Sequence, residues 1–184
     1  AHFSIGSGTR LNMTSTDLYA NGTLTNNGTI NVGVNSRIFR EASAASLTFL
    51  GTGAIVLDNS VGYSQISGNG GDLIFGANQL IQGSGQVGIN NSDITNNGIF
   101  TASGGGSISV DSAGGSGGRG GAGVGTLGNA GLINNNVIEA AGASTVSFES
   151  GYYENAAGGI IRSVGGSTVV LGNDSRIVNG TLTS

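Results

Sequence analysis

The sequence predicts an all-β fold: a single-stranded parallel β-helix, or β-solenoid, of roughly eight rungs. Three observations carry that prediction. A short Asn/Gly corner motif recurs along the chain. The segments between corners read as short strands. The composition is poor in helix formers and has no proline to interrupt a long ladder.

The motif reads apolar-x-Asn/Gly-x-Gly/Asn-x-apolar. It stands as LTNNGTI (24–30), FLGTGAI (49–55), IQGSGQV (81–87), ITNNGIF (94–100) and LINNNVI (132–138), with a looser copy, YENAAGGII, from Tyr153. Self-similarity at periods of twenty to fifty residues is the mark of solenoids, propellers and arrays. The gaps between successive starts are 25, 32, 13, 38 and 21 residues. The longest gap contains SAGGSGGRGGAGVG, a 14-residue Gly-rich tract at 112–125. Without that tract the gap falls to 24, so one rung is expected to eject 112–125 as a loop. The gap of 13 is too short for a full turn, so the motif is expected to serve two different corners.

Between corners, TINVGV, SLTFLG, AIVLD, DLIFG, SISVD, STVSFES, STVVLG and RIVNGTL show alternation or short buried runs bounded by Gly, Asn or Ser. Ile30, Phe49, Ile55, Phe75, Ile99 or Phe100, Ile108, Val110, Ile138, Val146, Phe148, Val169 and Leu171 are the expected interior. REASAASL (40–47) is the best helical candidate. At the corners, Gly28, Gly53, Gly85 and Gly98, with Asn136 in the same place, are expected to supply positive φ. Asn26, Asn96 and Asn134 are expected to stack their amides from rung to rung. The rival reading takes Asn-Gly as a hairpin turn and gives an antiparallel sandwich or barrel. Stacking favours the solenoid, because each corner must fit the one above.

The 184 residues suit one domain, 1–184. There are 37 glycines, no cysteine, no proline and no tryptophan, and all 6 basic residues are arginines. Charged residues make up 9 %, against roughly a quarter in ordinary soluble domains. The net charge of −4 and the scattered arginines argue against nucleic acid as a partner. Absent cysteine excludes a disulfide framework and thiolate metal sites, and suits a chain exported unfolded through a pore. No apolar run is long enough to span a membrane, so no membrane insertion of this segment is expected. The start, AHFSIGSG, reads as part of a rung and so as a cut within a longer repetitive protein.

The stretches ITNNGIFTASGGGSISV (94–110), LINNNVIEAAGASTVSF (132–148) and IIRSVGGSTVVLGNDSRIVNGTLT (160–183) resemble the passenger domains of bacterial autotransporters and filamentous-haemagglutinin-like exoproteins. The resemblance is one of repeat style across most of the chain. It implies a right-handed coil, secretion or display on a bacterial cell surface, and adhesion. No outer-membrane barrel segment and no haemagglutinin-type secretion signal stands in this sequence.

No catalytic, cofactor-binding or metal-binding residue is expected. His2 is the only histidine, which leaves no triad and no His-based metal site. GSGQVG (83–88) and GSGGRG (115–120) fit a dinucleotide fingerprint only by glycine abundance, and neither opens a helix. Asp58, Asp72, Asp93, Asp111 and Asp174 sit beside Gly, Ser or Asn, where turn chemistry explains them. Glu139, Glu149 and Glu154 are expected to face solvent. The sequons at Asn12, Asn21, Asn27, Asn90, Asn173 and Asn179 follow from composition, and two distant Thr-x-Thr pairs do not make an ice-binding rank. The expected role is a non-catalytic extracellular scaffold, an adhesin segment or a unit of a surface fibre, meeting a host or environmental glycan or a surface protein. The alternatives are a carbohydrate-active β-helix enzyme and a filament subunit that self-associates end to end.

Overall fold

The computed structural model describes residues 3–113, 131–149, 151–172 and 175–184. It is a β-solenoid of about seven turns with no helix among the described residues. Every ladder among them is parallel. Each turn runs through three walls. The first wall climbs from Phe3–Ile5 through Asp72–Phe75 to Arg176–Val178, the second from Arg10–Met13 to Thr181–Thr183, and the third from Asp17–Ala20 to Thr168–Leu171. Strand Leu80–Val87 rounds a corner and serves both the second and the third wall.

The walls explain the irregular gaps. Ile81 lies on the second wall and Ile94 on the first, so the short gap joins two corners of the coil. Ile94 pairs directly with Leu132, so 38 residues make a single turn with an insertion. Ser112 and Ala113, expected at the start of the ejected loop, are instead buried, and Ala113 N donates to Ser92 O at 2.8 Å. Past the third-wall strand Ser107–Val110, they pack on the segment of the turn beneath that leads into Ile94–Asn96. The rest of 112–125 lies outside the described residues.

Alternation sends one side chain in two inward, and parallel stacking lines those side chains up in columns. Ile30, Ile55, Ile81, Phe100, Ile138 and Ile161 form one such column, all nearly or fully buried. Ile38, Ile66, Val87, Val110 and Phe148 form another. Phe100, not Ile99, points inward. Leu171 occupies its expected column above Phe148 yet is 52 % exposed, because no described third-wall strand covers it. The column on the first wall changes chemistry partway. Leu24, Phe49 and Phe75 are followed in register by Asn96, Asn134 and Asn155. Phe49 and Phe75 stack at 4.8 Å, and Phe75 meets Phe100 edge-on at 4.9 Å.

The two near-identical corners therefore align on one wall only: Ile30 and Phe100 share a second-wall column, but the first-wall ends are offset. Leu24 shares its column with Asn96, two places along the later copy. Asn26 stands next to Ile5 below and beside Gly51 above. With no amide in register, its Nδ2 donates to the Ala54 carbonyl at 3.0 Å. Higher up, the expected amide stack is present. Asn96 Nδ2 donates to Asn134 Oδ1, and Asn134 Nδ2 to Asn155 Oδ1, both at 2.8 Å. Asn155 completes the ladder by donating to the Thr181 carbonyl.

The corner glycines have another cause than the one expected. Gly28, Gly53, Gly85, Gly98 and Asn136 all keep ordinary negative φ. The constraint is close approach. A Cβ on Gly53 would lie 2.2 Å from the Gly28 carbonyl oxygen, and one on Gly98 would lie 2.3 Å from that of Gln79. Over Gly53 and Gly98 the next turn carries amides that bond the turn beneath: Gln79 Nε2 to Gly53 O at 2.6 Å, and Asn136 Nδ2 to Asn97 O at 2.9 Å. Positive φ falls at other places, such as Gly51 and Gly83.

REASAASL is not a helix. After strand Ser36–Arg40 it makes a turn that leads into Ser46–Leu50. Arg40, 5 % exposed, holds that turn. Its guanidinium donates to the carbonyls of Gly68, Glu41, Ala42, Ala44 and Asn69.

Asn134→Ala is expected to cost about 3 kcal/mol in chemical denaturation, since it strands Asn155 Oδ1 and removes the acceptor of Asn96 inside the coil. Gly53→Ala is expected to destabilise the fold by about 2 kcal/mol although its φ is ordinary, a cost that close approach predicts and backbone preference does not.

Candidate functional site

The interior takes up apolar side chains together with amides, serines, Arg40 and Tyr153, and the outer faces carry the remaining polar groups. On the third wall one outward column runs Asp17, Arg37, Gln65, Gln86, Ser109, Ser147. Parallel register puts each within reach of the next. Arg37 grips Asp17 in a two-bond fork, Nε to Oδ1 at 3.0 Å and Nη2 to Oδ2 at 2.9 Å. Gln65 Nε2 donates to Gln86 Oε1 at 2.9 Å, and Gln86 Nε2 donates to Asp111 Oδ2 at 3.1 Å. Ser109 and Ser147 both donate to Glu149 Oε1, at 3.2 and 3.0 Å.

Aromatic rings flank the lower part of this column. Tyr19 and Phe39 stack at 5.3 Å. The Arg37 guanidinium lies over the rings of Phe39 (4.7 Å) and Tyr63 (5.1 Å). Tyr63 then borders an open groove of about 510 Å³ whose walls include Gln65, Gln86, Ser109, Asp111 and Glu149.

Asp111 and Glu149 each follow one of the paired residues Val110 and Phe148, so the two carboxylates stand on neighbouring turns. Burial raises the Asp111 carboxyl above its ordinary range, the Glu149 charge adds to that, and the Gln86 hydrogen bond opposes it. The backbone around the pair is tightly held. Gly88, Ile89 and Asn90 in succession have positive φ (107°, 49° and 56°). A β-branched residue in that region is strained, and such strain persists only where the surroundings enforce it. Here Asn90 N donates to the Asp111 carbonyl at 2.7 Å, and a Cβ on Gly88 would strike that same oxygen. From inside, the Tyr153 hydroxyl donates to the Glu149 carbonyl at 2.7 Å, with the Val110 carbonyl at 3.1 Å. Burial raises this phenol far above its usual range, so it stays protonated.

The other acidic residues do not join this pair. Asp58 closes its own turn, accepting from Ser60 N at 3.1 Å, as turn chemistry predicts. Asp72 and Asp93 belong to the first wall. Asp174 and His2 lie outside the described residues. Glu139 does not simply face solvent: it pairs with Arg162 at 2.5 Å, its side chain 15 % exposed. Glu149, also expected to face solvent, is half-buried, held by two serine hydroxyls in the groove that Asp111 also lines. Sequence reasoning missed Gln65, Gln86 and Tyr63 altogether. The strand SQIS and the run SGQV place their glutamines at outward positions, but only the register between turns shows that they meet. GSGQVG lies within and just after strand Leu80–Val87 and opens no helix, and GSGGRG lies outside the described residues. Among the described residues no group of three or more His, Asp or Glu side chains could hold a metal ion.

Because its folded-state pKa is raised, Asp111 contributes stability below the ordinary carboxylate range and loses it as pH rises through the raised value. Asp111→Asn is therefore expected to unfold at higher temperature than the parent chain at neutral pH. The difference is expected to vanish in acid, as a pH series of melting curves would show. No protein-family model, no curated protein and no solved structure matches the chain.

Proposed function

We propose that this chain is a segment of an extracellular scaffold, displayed on or secreted from a bacterial cell, whose role is adhesive and non-catalytic. The observation that carries the proposal is where its polar side chains are spent. The buried amides, Arg40, the Arg37–Asp17 fork and the Arg162–Glu139 pair all tie one turn or corner to another. The product is a rod of roughly 35 Å at the spacing of stacked strands. Low charge, absent cysteine and the repeat style shared with autotransporter passengers agree with export and display.

A second reading, a carbohydrate-active enzyme, is favoured by one observation, the Asp111–Glu149 pair beside an open groove. Glycoside hydrolysis uses two carboxyl groups across a bond. One experiment decides between them. Beads coated with the chain are tested for adherence to cells and polysaccharide-coated surfaces, and the same protein is incubated with those polysaccharides and assayed for new reducing ends. Adherence without new ends is expected. Release of ends that stops in both Asp111→Asn and Glu149→Gln would replace the scaffold with the enzyme.

A further inference from the structure

The geometry points to the outer face of the third wall, from Tyr63 to Glu149, as a binding groove for a neutral polysaccharide chain lying along the coil axis. This deepens the adhesive reading and rests on it. The first reason is shape. The groove is open and crosses several turns, so it accepts an extended polymer more readily than a compact ligand. Its functional groups recur once per turn, roughly 4.8 Å apart, comparable to the length of one pyranose unit.

The second reason is chemistry. A sugar presents an apolar C–H face and a rim of paired hydroxyls. Tyr63, 37 % exposed and backed by Arg37, offers a ring for the face. Gln65, Gln86, Ser109 and the two carboxylates offer donors and acceptors for the rim. Their mutual bonds leave capacity: Gln86 gives Asp111 one of its two N–H groups, and a carboxylate has about four acceptor sites.

The third reason is charge. Asp17 already neutralises Arg37, which leaves Asp111 and Glu149 to set the potential of the groove. That potential repels uronic-acid polymers, sialylated glycans and nucleic acid, and leaves uncharged polysaccharides as the class that fits. The fourth reason is preorganisation. The strained Ile89–Asn90 corner and the buried Tyr153 hydroxyl fix the backbone that carries Asp111 and Glu149, so little ordering is left to the ligand.

The test is affinity electrophoresis of the intact chain through gels containing neutral polymers (a β-glucan, a mannan, a galactomannan) or acidic ones (pectate, alginate). Retardation in at least one neutral gel and none in the acidic gels is expected. Tyr63→Ala is expected to weaken retention about tenfold. Ser109→Trp, which fills the groove from an outward position and leaves the core untouched, is expected to abolish it. Melting curves check that both variants fold. No retention in any neutral gel, retention unchanged in both variants, or a preference for the acidic polymers would each overturn the assignment. If coated beads still adhere to cells in those cases, the groove assignment falls and the scaffold stands. If Tyr63→Ala weakens retention but the bound polymer is cleaved, the groove stands and the non-catalytic reading falls.

Discussion

The structure depends on a constraint that every turn meets at its corner. A corner between two walls turns backbone N–H and C=O groups into a space water does not reach, and each needs a partner. The buried asparagines meet this need twice over. Oδ1 accepts from the backbone N–H two residues ahead, as in Asn26 to Gly28 and Asn96 to Gly98. Nδ2 reaches the next turn, as in Asn96 to Asn134 and Asn134 to Asn155. One side chain closes its own corner and latches it to a neighbour. Where the column lacks an amide, as at Phe49 and Phe75, stacked rings fill the place.

The same constraint explains the glycines and Arg40. Turns stacked this closely bring a carbonyl of one corner against the Cα of the next, so glycine recurs there, and the side chains that stand over Gly53 and Gly98, those of Gln79 and Asn136, bond carbonyls of the turn beneath. Arg40 works on a larger scale. A planar cation with five donors can satisfy several carbonyls at once, and those dipoles offset the cost of burying its charge. A helix over 40–47 would remove those carbonyls from its reach, which is why tertiary contact overrides local propensity there.

Interior and exterior are linked at one point. Tyr153 and the Gly88–Asn90 corner fix the backbone beneath Asp111 and Glu149, so the groove inherits the rigidity of the coil. A single outward residue per turn has little recognition chemistry. Stacked in register, Gln65, Gln86, Ser109 and their neighbours become a continuous polar strip beside an aromatic edge. The proposed binding groove is a product of register, in the same way as the core.

The solenoid itself was legible in the chain, because repeated corners and period-two strands are local patterns that any stacked coil must contain. So were the inward columns, the two kinds of corner behind the short gap, and the asparagine ladder from Asn96 to Asn134. What the sequence could not decide was register. LTNNGTI and ITNNGIF look interchangeable, yet only their second-wall ends align, Ile30 with Phe100; on the first wall they stand two places apart, which denies Asn26 the amide partner that Asn96 has. The reason for glycine at the corner, the burial of Arg40 and the meeting of Asp111 with Glu149 all follow from which residue of one turn lies over which residue of the next. That depends on the lengths of the segments between corners summed around each turn. Only the closed three-dimensional coil sets that sum, and with it the candidate site.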